Sequence, residues 1–275
     1  MRIDAHQHFW SLQRGDYSWP TPDLTELFRN FGPADLAPLL AAAGIDGTVL
    51  VQATPTAAET SYLLGIARHE PFVKAVIGWA DLAAPDAARR VDLLARDPWL
   101  KGLRPMIQAF PDDRWMLRAE LTPAFAALAR HGLVLDALVQ PRHLPILPDL
   151  LDRHPDLVVV IDHGAKPAIA RGDFAGWARD IAVLARREGV YCKLSGLWTE
   201  AGGNRSAEAV GPYIAHLLAC FGPRRILWGS DWPVLRLAGD YADWHAQCRA
   251  MTGGYSKADR DDIFGGTARR VYGLR

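Results

Sequence analysis

Asp4-Ala5-His6-Gln7-His8 opens the chain as a short alternating segment that delivers two imidazoles with one residue between them. In an extended strand alternate side chains share a face, so His6 and His8 point the same way and Asp4 sits one step deeper. Two converging imidazoles can clamp a metal ion, hold a carbonyl oxygen or move a proton. A His-x-His pair near a chain end is equally a pair of surface histidines, and only partners elsewhere decide. Two other segments offer partners. In Leu157-Val158-Val159-Val160-Ile161-Asp162-His163-Gly164 an apolar run delivers an acid and an imidazole into a glycine turn. In Ile226-Leu227-Trp228-Gly229-Ser230-Asp231-Trp232-Pro233 a second apolar run ends in a carboxylate followed by proline. Singly, His163 reads as a satisfied core histidine and Asp231 as a turn former. Brought to one mouth, His6, His8, His163 and Asp231 read as an active site.

Such residues need a scaffold that gathers strand ends. After the first strand, Phe9 to Phe31 is irregular and aromatic, with Trp10, Tyr17, Trp19 and Pro20, and reads as a loop folded over the site. Gly32-Pro33 opens a helix that stops at Gly44, with Leu36, Leu39 and Leu40 at helical spacing. A strand over 48–51 ends at Gln52. Helices over about 57–69, 85–96, 122–131, 143–153, 174–188 and 206–220 then alternate with strands over 73–79, 102–106, 133–139, 157–162, 190–195 and 225–230. Wholly apolar strands are those of a parallel sheet covered on both faces. Eight such units predict a single α/β domain over residues 1–275, a (β/α)8 TIM-like barrel. A doubly wound open sheet is the alternative, but no GxGxxG follows the first strand. In a barrel, function collects where strands end, which adds Gln52, Trp79, Arg104, Gln140, Lys193 and Ser195 to the candidates.

Composition narrows the partners. Acidic and basic residues balance at 31 each, giving no electrostatic reason to expect nucleic acid or an anionic membrane. No apolar run approaches the roughly 18 residues that span a bilayer, and the N-terminus lacks the pattern of a signal peptide, so the expected location is cytoplasmic. Cys192, Cys220 and Cys248 are an odd number at unpatterned spacing, which fits idle thiols in a reducing compartment. Ten tryptophans are many for this length, and flat aromatic faces suit sugar rings.

His6-Gln7-His8, Asp162-His163-Gly164 with Lys166-Pro167, Gly229-Ser230-Asp231-Trp232-Pro233 and the closing Phe264-Gly265-Gly266-Thr267-Ala268-Arg269-Arg270-Val271-Tyr272 together resemble the amidohydrolase superfamily. More closely, the chain resembles the branch that holds sugar lactonases and the 2-pyrone-4,6-dicarboxylate lactonase, from residue 1 to the last turn. The resemblance implies that Asp231 is the base that activates water. It implies that His6, His8 and His163 polarise a carbonyl or hold a metal. Gln140-Pro141 stands where metal-binding relatives place a histidine before proline, and Arg104 stands where others have a bridging lysine. What remains is a candidate site for one divalent ion, zinc first, on His6, His8 and Asp231. Members of the lactonase branch work without metal, so the ion is expected to be dispensable.

The expected reaction is the opening of an aldono-1,4- or 1,5-lactone, such as L-fuconolactone, to its aldonic acid. Arg104 and Lys193 would hold a carbonyl or hydroxyl, Gln140 and Ser195 would offer neutral hydrogen bonds, and Trp10, Trp79, Trp198 and Trp232 would stack on the ring. Lys193 and Ser195 alternate on one strand face, so both turn to the barrel interior if either does. Their alternative is a snorkelling lysine and a turn serine. Rival readings are a pyrone dicarboxylate lactonase, which wants several inward arginines, a decarboxylase, which wants the missing strand-five histidine, and a non-enzymatic carbohydrate-binding barrel. The expected partner is a small sugar lactone, with an oligomer left open.

Overall fold

The structure, a computed structural model, describes residues 1–274. Eight strands form one sheet in chain order: β1 Ile3–Gln7, β2 Gly47–Val51, β3 Val73–Gly78, β4 Leu100–Leu103, β5 Val134–Ala137, β6 Val159–Ile161, β7 Val190–Leu194 and β8 Ile226–Trp228. Every neighbouring pair is parallel. The strands are short and almost wholly buried, the reason they read as apolar runs without alternation. Each is followed by a helix or helical turns, which makes the expected (β/α)8 barrel.

Between β8 and β1 the sheet closes through loop backbone. Asp231 N donates to His6 O at 2.8 Å, and His8 N donates to Trp232 O at 2.8 Å. This seam sets the carboxylate of one strand end against the imidazoles of the other.

The helices follow their capping signals. Helix α1 (Pro33–Ala43) starts with Pro33 at a first-turn position, while Asp35 Oδ2 accepts from Gly32 N at 2.9 Å. Helix α2 (Ala57–His69) starts at Thr56, whose hydroxyl accepts from Glu59 N at 3.0 Å. The remaining helices are α3 Ala87–Leu94, α4 Thr122–Arg130, α5 Leu147–Arg153, α6 Ala175–Leu184, α7 Ala207–Phe221, α8 Tyr241–Met251, α9 Lys257–Asp261 and α10 Thr267–Val271.

Several boundaries differ from those expected. Strand β4 lies over Leu100–Leu103 rather than 102–106, because Pro105 has no N–H to continue a ladder and Arg104 is released as a strand end. Helix α5 starts at Leu147 rather than 143, since Pro141–His143 forms a separate 3-10 turn.

The barrel interior is layered. Its lower part is apolar, with Ile3, Val49, Ala75, Ile77, Val134 and Val160 packed against Tyr272 and Leu274 of the closing segment. Charged side chains lie above this plug, and the histidines lie above those.

Candidate active site

His6 and His8 arrive from β1, but not quite as simple alternation predicts. The pairing of β1 with β2 slips between Asp4 and Gln7. Asp4 thereby leaves the imidazole face, and its carboxylate accepts from Ser230 N at 2.8 Å and from Tyr241 Oη of α8 at 3.0 Å. It fastens the β8 turn and does not serve the site. His6 Nε2 and His8 Nε2 meet at 3.1 Å.

The other two site residues sit on left-handed backbone, His163 at φ 54° and Asp231 at φ 60°. Non-glycine residues adopt this region at a cost of order 1–3 kcal/mol unless the surroundings hold them, and such residues cluster at functional sites. Two glycines make room. A Cβ on Gly196 would stand 2.6 Å from His163 Nδ1, and one on Gly229 would stand 2.8 Å from His6 Cβ. Both positions exclude any larger residue without moving an imidazole.

Four atoms converge as a result. Asp231 Oδ1 lies 3.4 Å from His8 Nε2, 3.6 Å from His6 Nε2 and 4.0 Å from His163 Nε2. The far side of each ring is also engaged. His8 Nδ1 stands 2.7 Å from the Val51 carbonyl, which can only accept, so Nδ1 carries the proton and Nε2 presents a lone pair. His163 Nδ1 pairs with Ser195 Oγ at 2.9 Å. His6 Nδ1 faces Lys193 Nζ at 3.1 Å and Asp162 Oδ1 at 3.4 Å.

Protonation states follow from burial and charge. Burial pushes His163 down to about 4, with Lys166 and Arg104 adding to the effect and Asp231 and Asp162 opposing it. Burial and then Lys193 push His6 well below its ordinary value. For Asp231 burial acts upward, but His163, His8 and His6 outweigh it and hold the carboxyl below its usual range. Near neutral pH Asp231 is an ionised carboxylate beside the neutral imidazoles of His6 and His163. That state suits both a general base and a cation site.

Among the described residues, His6, His163 and Asp231 form a group whose donor atoms lie within 4.8 Å of one another, and His8 Nε2 adjoins it. The donors fit one ion. His8 is held in the ligating tautomer, and neutral nitrogens with one carboxylate suit a zinc-like metal. This group shares His6 and Asp231 with the expected set and takes in His163, while His8 adjoins it.

Above these atoms opens a cavity of about 400 Å³, lined in part by His8, His163, Asp231 and Arg104. Arg104 is 3 % exposed, its guanidinium donates to the Gln52 carbonyl, and its Nη1 stands 3.4 Å from Asp162 Oδ2 and 3.5 Å from His6 Nε2. Its Nε is buried without a protein partner, a free donor beside the cavity. Gln52 donates to the Arg104 carbonyl at 2.8 Å and so positions the arginine.

Several expected ligand contacts lie elsewhere. Lys193 is fully buried beneath His6, in ion pairs with Asp136 and, at 3.0 Å, with Asp162. Ser195 shares its face, as alternation requires, but serves His163. Gln140 is half-buried beside the Pro141 turn and outside the cavity lining, its N–H donating to His143 Nδ1 at 3.0 Å.

The four tryptophans expected to stack on a ring also miss the lining. Trp10 is fully buried with Nε1 donating to Arg29 O, and Trp232 packs edge-on against Phe9 and Phe31. Trp198 packs on Trp244 and donates to Gln247 Oε1, and Trp79 is half-buried behind the strand end with its N–H bonded to Thr60. Large aromatic rings next to strand ends are drawn into the packing between barrel and helices, where more apolar area is removed from water.

The aromatic face in the cavity is Trp19, from the loop that was expected to fold over the site. That loop is closed by mutual backbone hydrogen bonds of 3.0 Å between Trp10 and Phe31. It is tied to α2 by Tyr17 Oη donating to Glu59 Oε1 at 2.8 Å and by Thr56 Oγ1 donating to Asp16 Oδ2 at 2.7 Å. Lining residues that sequence reasoning left without a role are Trp19, Gln108, Lys166 and Glu200. Two of them carried a signal: Trp19 lies in the aromatic loop, and Lys166 follows His163 by three residues in the same turn.

Comparison with known proteins agrees with this geometry. The amidohydrolase family model matches residues 3–274. The chain is 48 % identical to L-fucono-1,5-lactonase of Burkholderia ambifaria, over 98 % of this chain and 95 % of that protein. It is 37 % identical to L-fucono-1,5-lactonase of Burkholderia multivorans, over 100 % and 96 %. A crystal structure of an amidohydrolase from Burkholderia multivorans with bound zinc superposes with a TM-score of 0.95 at 36 % identity, each chain covered over 100 %. A match that runs the length of the chain, joined to a barrel whose strand ends bring His6, His8, His163 and Asp231 together, places this protein in the amidohydrolase family.

Proposed function

We propose that the chain hydrolyses the lactone of a neutral sugar, an aldono-1,4- or 1,5-lactone of the kind named for its two curated relatives, to the aldonic acid. The observation that carries this reading is Asp231: an ionised carboxylate at the cavity floor, 3.4 Å from His8 Nε2.

A lactone is an activated ester, so catalysis needs an oriented water, a base and stabilisation of an oxyanion. A water donating to Asp231 Oδ1 is held against the base that will take its proton. As its oxygen bonds to the carbonyl carbon, its proton passes to Asp231. Arg104 supplies positive charge for the developing oxyanion, joined by His163 Nε2–H when Ser195 donates to Nδ1. Cleavage of the bond from the acyl carbon to the ring oxygen then takes the proton back from Asp231 and leaves a hydroxyl and a carboxylic acid. His6 lies behind this layer and supports it.

His6, His163 and Asp231, with His8 adjoining, would hold one divalent ion, zinc first given the neighbouring structure with bound zinc. When bound, it would supply Lewis-acid polarisation of the carbonyl. The reading makes it dispensable, because Asp231 and Arg104 already provide a base and a positive charge.

The cavity supports a neutral sugar. Trp19 offers a flat face, Gln108 an amide, and Met106, Leu138, Val234 and Leu237 an apolar patch for a substituent without hydroxyls. Arg104 is the only arginine among its lining residues, whereas a pyrone dicarboxylate wants paired guanidinium groups. The free thiols of Cys192, Cys220 and Cys248 support a reducing, cytoplasmic location.

The test is a pH-indicator assay across aldonolactones, pyrone dicarboxylate and unsubstituted lactones, with and without chelator. Preference for a sugar lactone is expected. Preference for the dicarboxylate, or for the bare lactone over every sugar lactone, overturns the reading.

A further inference from the structure

The turns after β6 and β7 build a second polar feature into the same cavity. Lys166 Nζ and Glu200 Oε1 pair at 3.1 Å with both side chains 25 % exposed, and both line the cavity that holds His163 and Asp231. Each is firmly placed. Lys166 has left-handed backbone at φ 53°, and its N–H donates to His163 O at 2.9 Å, so the turn that aims His163 aims Lys166 as well. Glu200 sits in the short turn Thr199–Ala201, which Thr199 Oγ1 fastens by donating to Gly196 O at 2.7 Å.

An ammonium offers three N–H donors and a carboxylate about four acceptor positions. The pair uses one of each, and the described residues give neither head group another hydrogen bond. Free donors and free acceptors therefore stand side by side on the cavity wall. A sugar hydroxyl both donates and accepts, so two adjacent hydroxyls complement the pair. A carboxylate substituent does not, because Glu200 repels it.

We propose that the Lys166–Glu200 pair is the specificity determinant of this site, receiving two neighbouring hydroxyls of the lactone ring and disfavouring lactones that carry a carboxylate there. The proposal rests on the lactonase reading above and adds which residues select the substrate. Ligand entry displaces water from the pair, which strengthens its remaining hydrogen bonds and makes a missing hydroxyl costly.

The experiment compares wild type, Glu200→Gln and Lys166→Met on L-fucono-1,5-lactone, on δ-valerolactone, which has no hydroxyls, and on pyrone dicarboxylate. Each variant is expected to lose about 10- to 100-fold more kcat/KM on the sugar lactone than on δ-valerolactone, the range for a hydrogen bond to a charged group. Glu200→Gln should also narrow the gap between sugar lactone and dicarboxylate. Glu200→Asp and Lys166→Arg should recover part of the loss. Equal losses on both lactones, or a loss below about threefold on the sugar lactone, overturn the proposal. Calorimetric titration with L-fuconate separates the two readings. Should wild type open no sugar lactone, the lactonase reading fails, while weaker L-fuconate binding by the variants still upholds the pair and unchanged binding overturns it. Absence of binding by every form overturns both.

Discussion

Lys193 Nζ stands 3.1 Å below His6 Nδ1, at the head of a buried network that continues to Asp136, Asp162 and Tyr272. An ammonium can only donate, so it competes for His6 Nδ1 with Asp162 Oδ1, an acceptor 3.4 Å from the same nitrogen. The lysine expected to touch substrate instead lies beneath an imidazole, inside a buried ion network. Lys193→Met should therefore act on the fold: it strands two buried carboxylates, at a cost of about 3–5 kcal/mol. Urea unfolding measures it, and a change under about 1 kcal/mol would show that the network is not charged as described.

Asp231→Asn should behave in the opposite way. The amide keeps the shape of the side chain but cannot take a proton, so turnover should fall by about 10²- to 10⁴-fold with the unfolding midpoint nearly unchanged. Activity within a few-fold of wild type would remove Asp231 from the mechanism.

Metal content should be at most one divalent ion per chain. The donor group is single among the described residues. Elemental analysis finding two tightly held ions would contradict this account, and loss of all activity after dialysis against a chelator would contradict only the dispensability of the ion.

Trp19 and Trp10 should separate by what they change. Trp19→Ala removes a half-buried ring from the cavity wall and should raise KM about tenfold with a smaller effect on stability. Trp10→Ala empties a fully buried site and should cost about 3–5 kcal/mol. Steady-state kinetics beside thermal unfolding of the two variants decides the assignment.

His245, away from the site, predicts a pH effect on stability. Burial, with Arg249 and Arg2, pushes it from its ordinary 6.5 down to about 4, and its ring packs on Trp228 at 5.0 Å. Between those values the unfolded chain binds a proton that the folded chain refuses. The His245 contribution is thus intact above pH 6.5 and falls away as pH drops toward 4. His245→Phe should lose less stability across that interval, by about 1–3 kcal/mol. Parallel pH profiles of the unfolding free energy for the two proteins would contradict the assignment.

Sequence alone determined the barrel and the cluster of polar groups at its mouth. Fully apolar strands separated by capped helices imply parallel strands, and parallel strands put their ends at one mouth, so His6, His8, His163 and Asp231 were legible before any coordinate. Tertiary structure decided which polar strand-end groups reach the cavity. Lys193 and Ser195 share a face, yet depth in the barrel sends one to a buried ion network and the other to an imidazole. Alternation along a strand carries no information on depth. Tertiary structure also decided the cavity walls. Trp19, Lys166 and Glu200 come from loops whose paths depend on ties such as Tyr17 to Glu59 and Thr199 to Gly196, formed between segments distant in the chain or within irregular turns. Periodicity records what a regular element buries, and these residues belong to no regular element, so their role emerges only when the barrel has closed and the loops have packed over it.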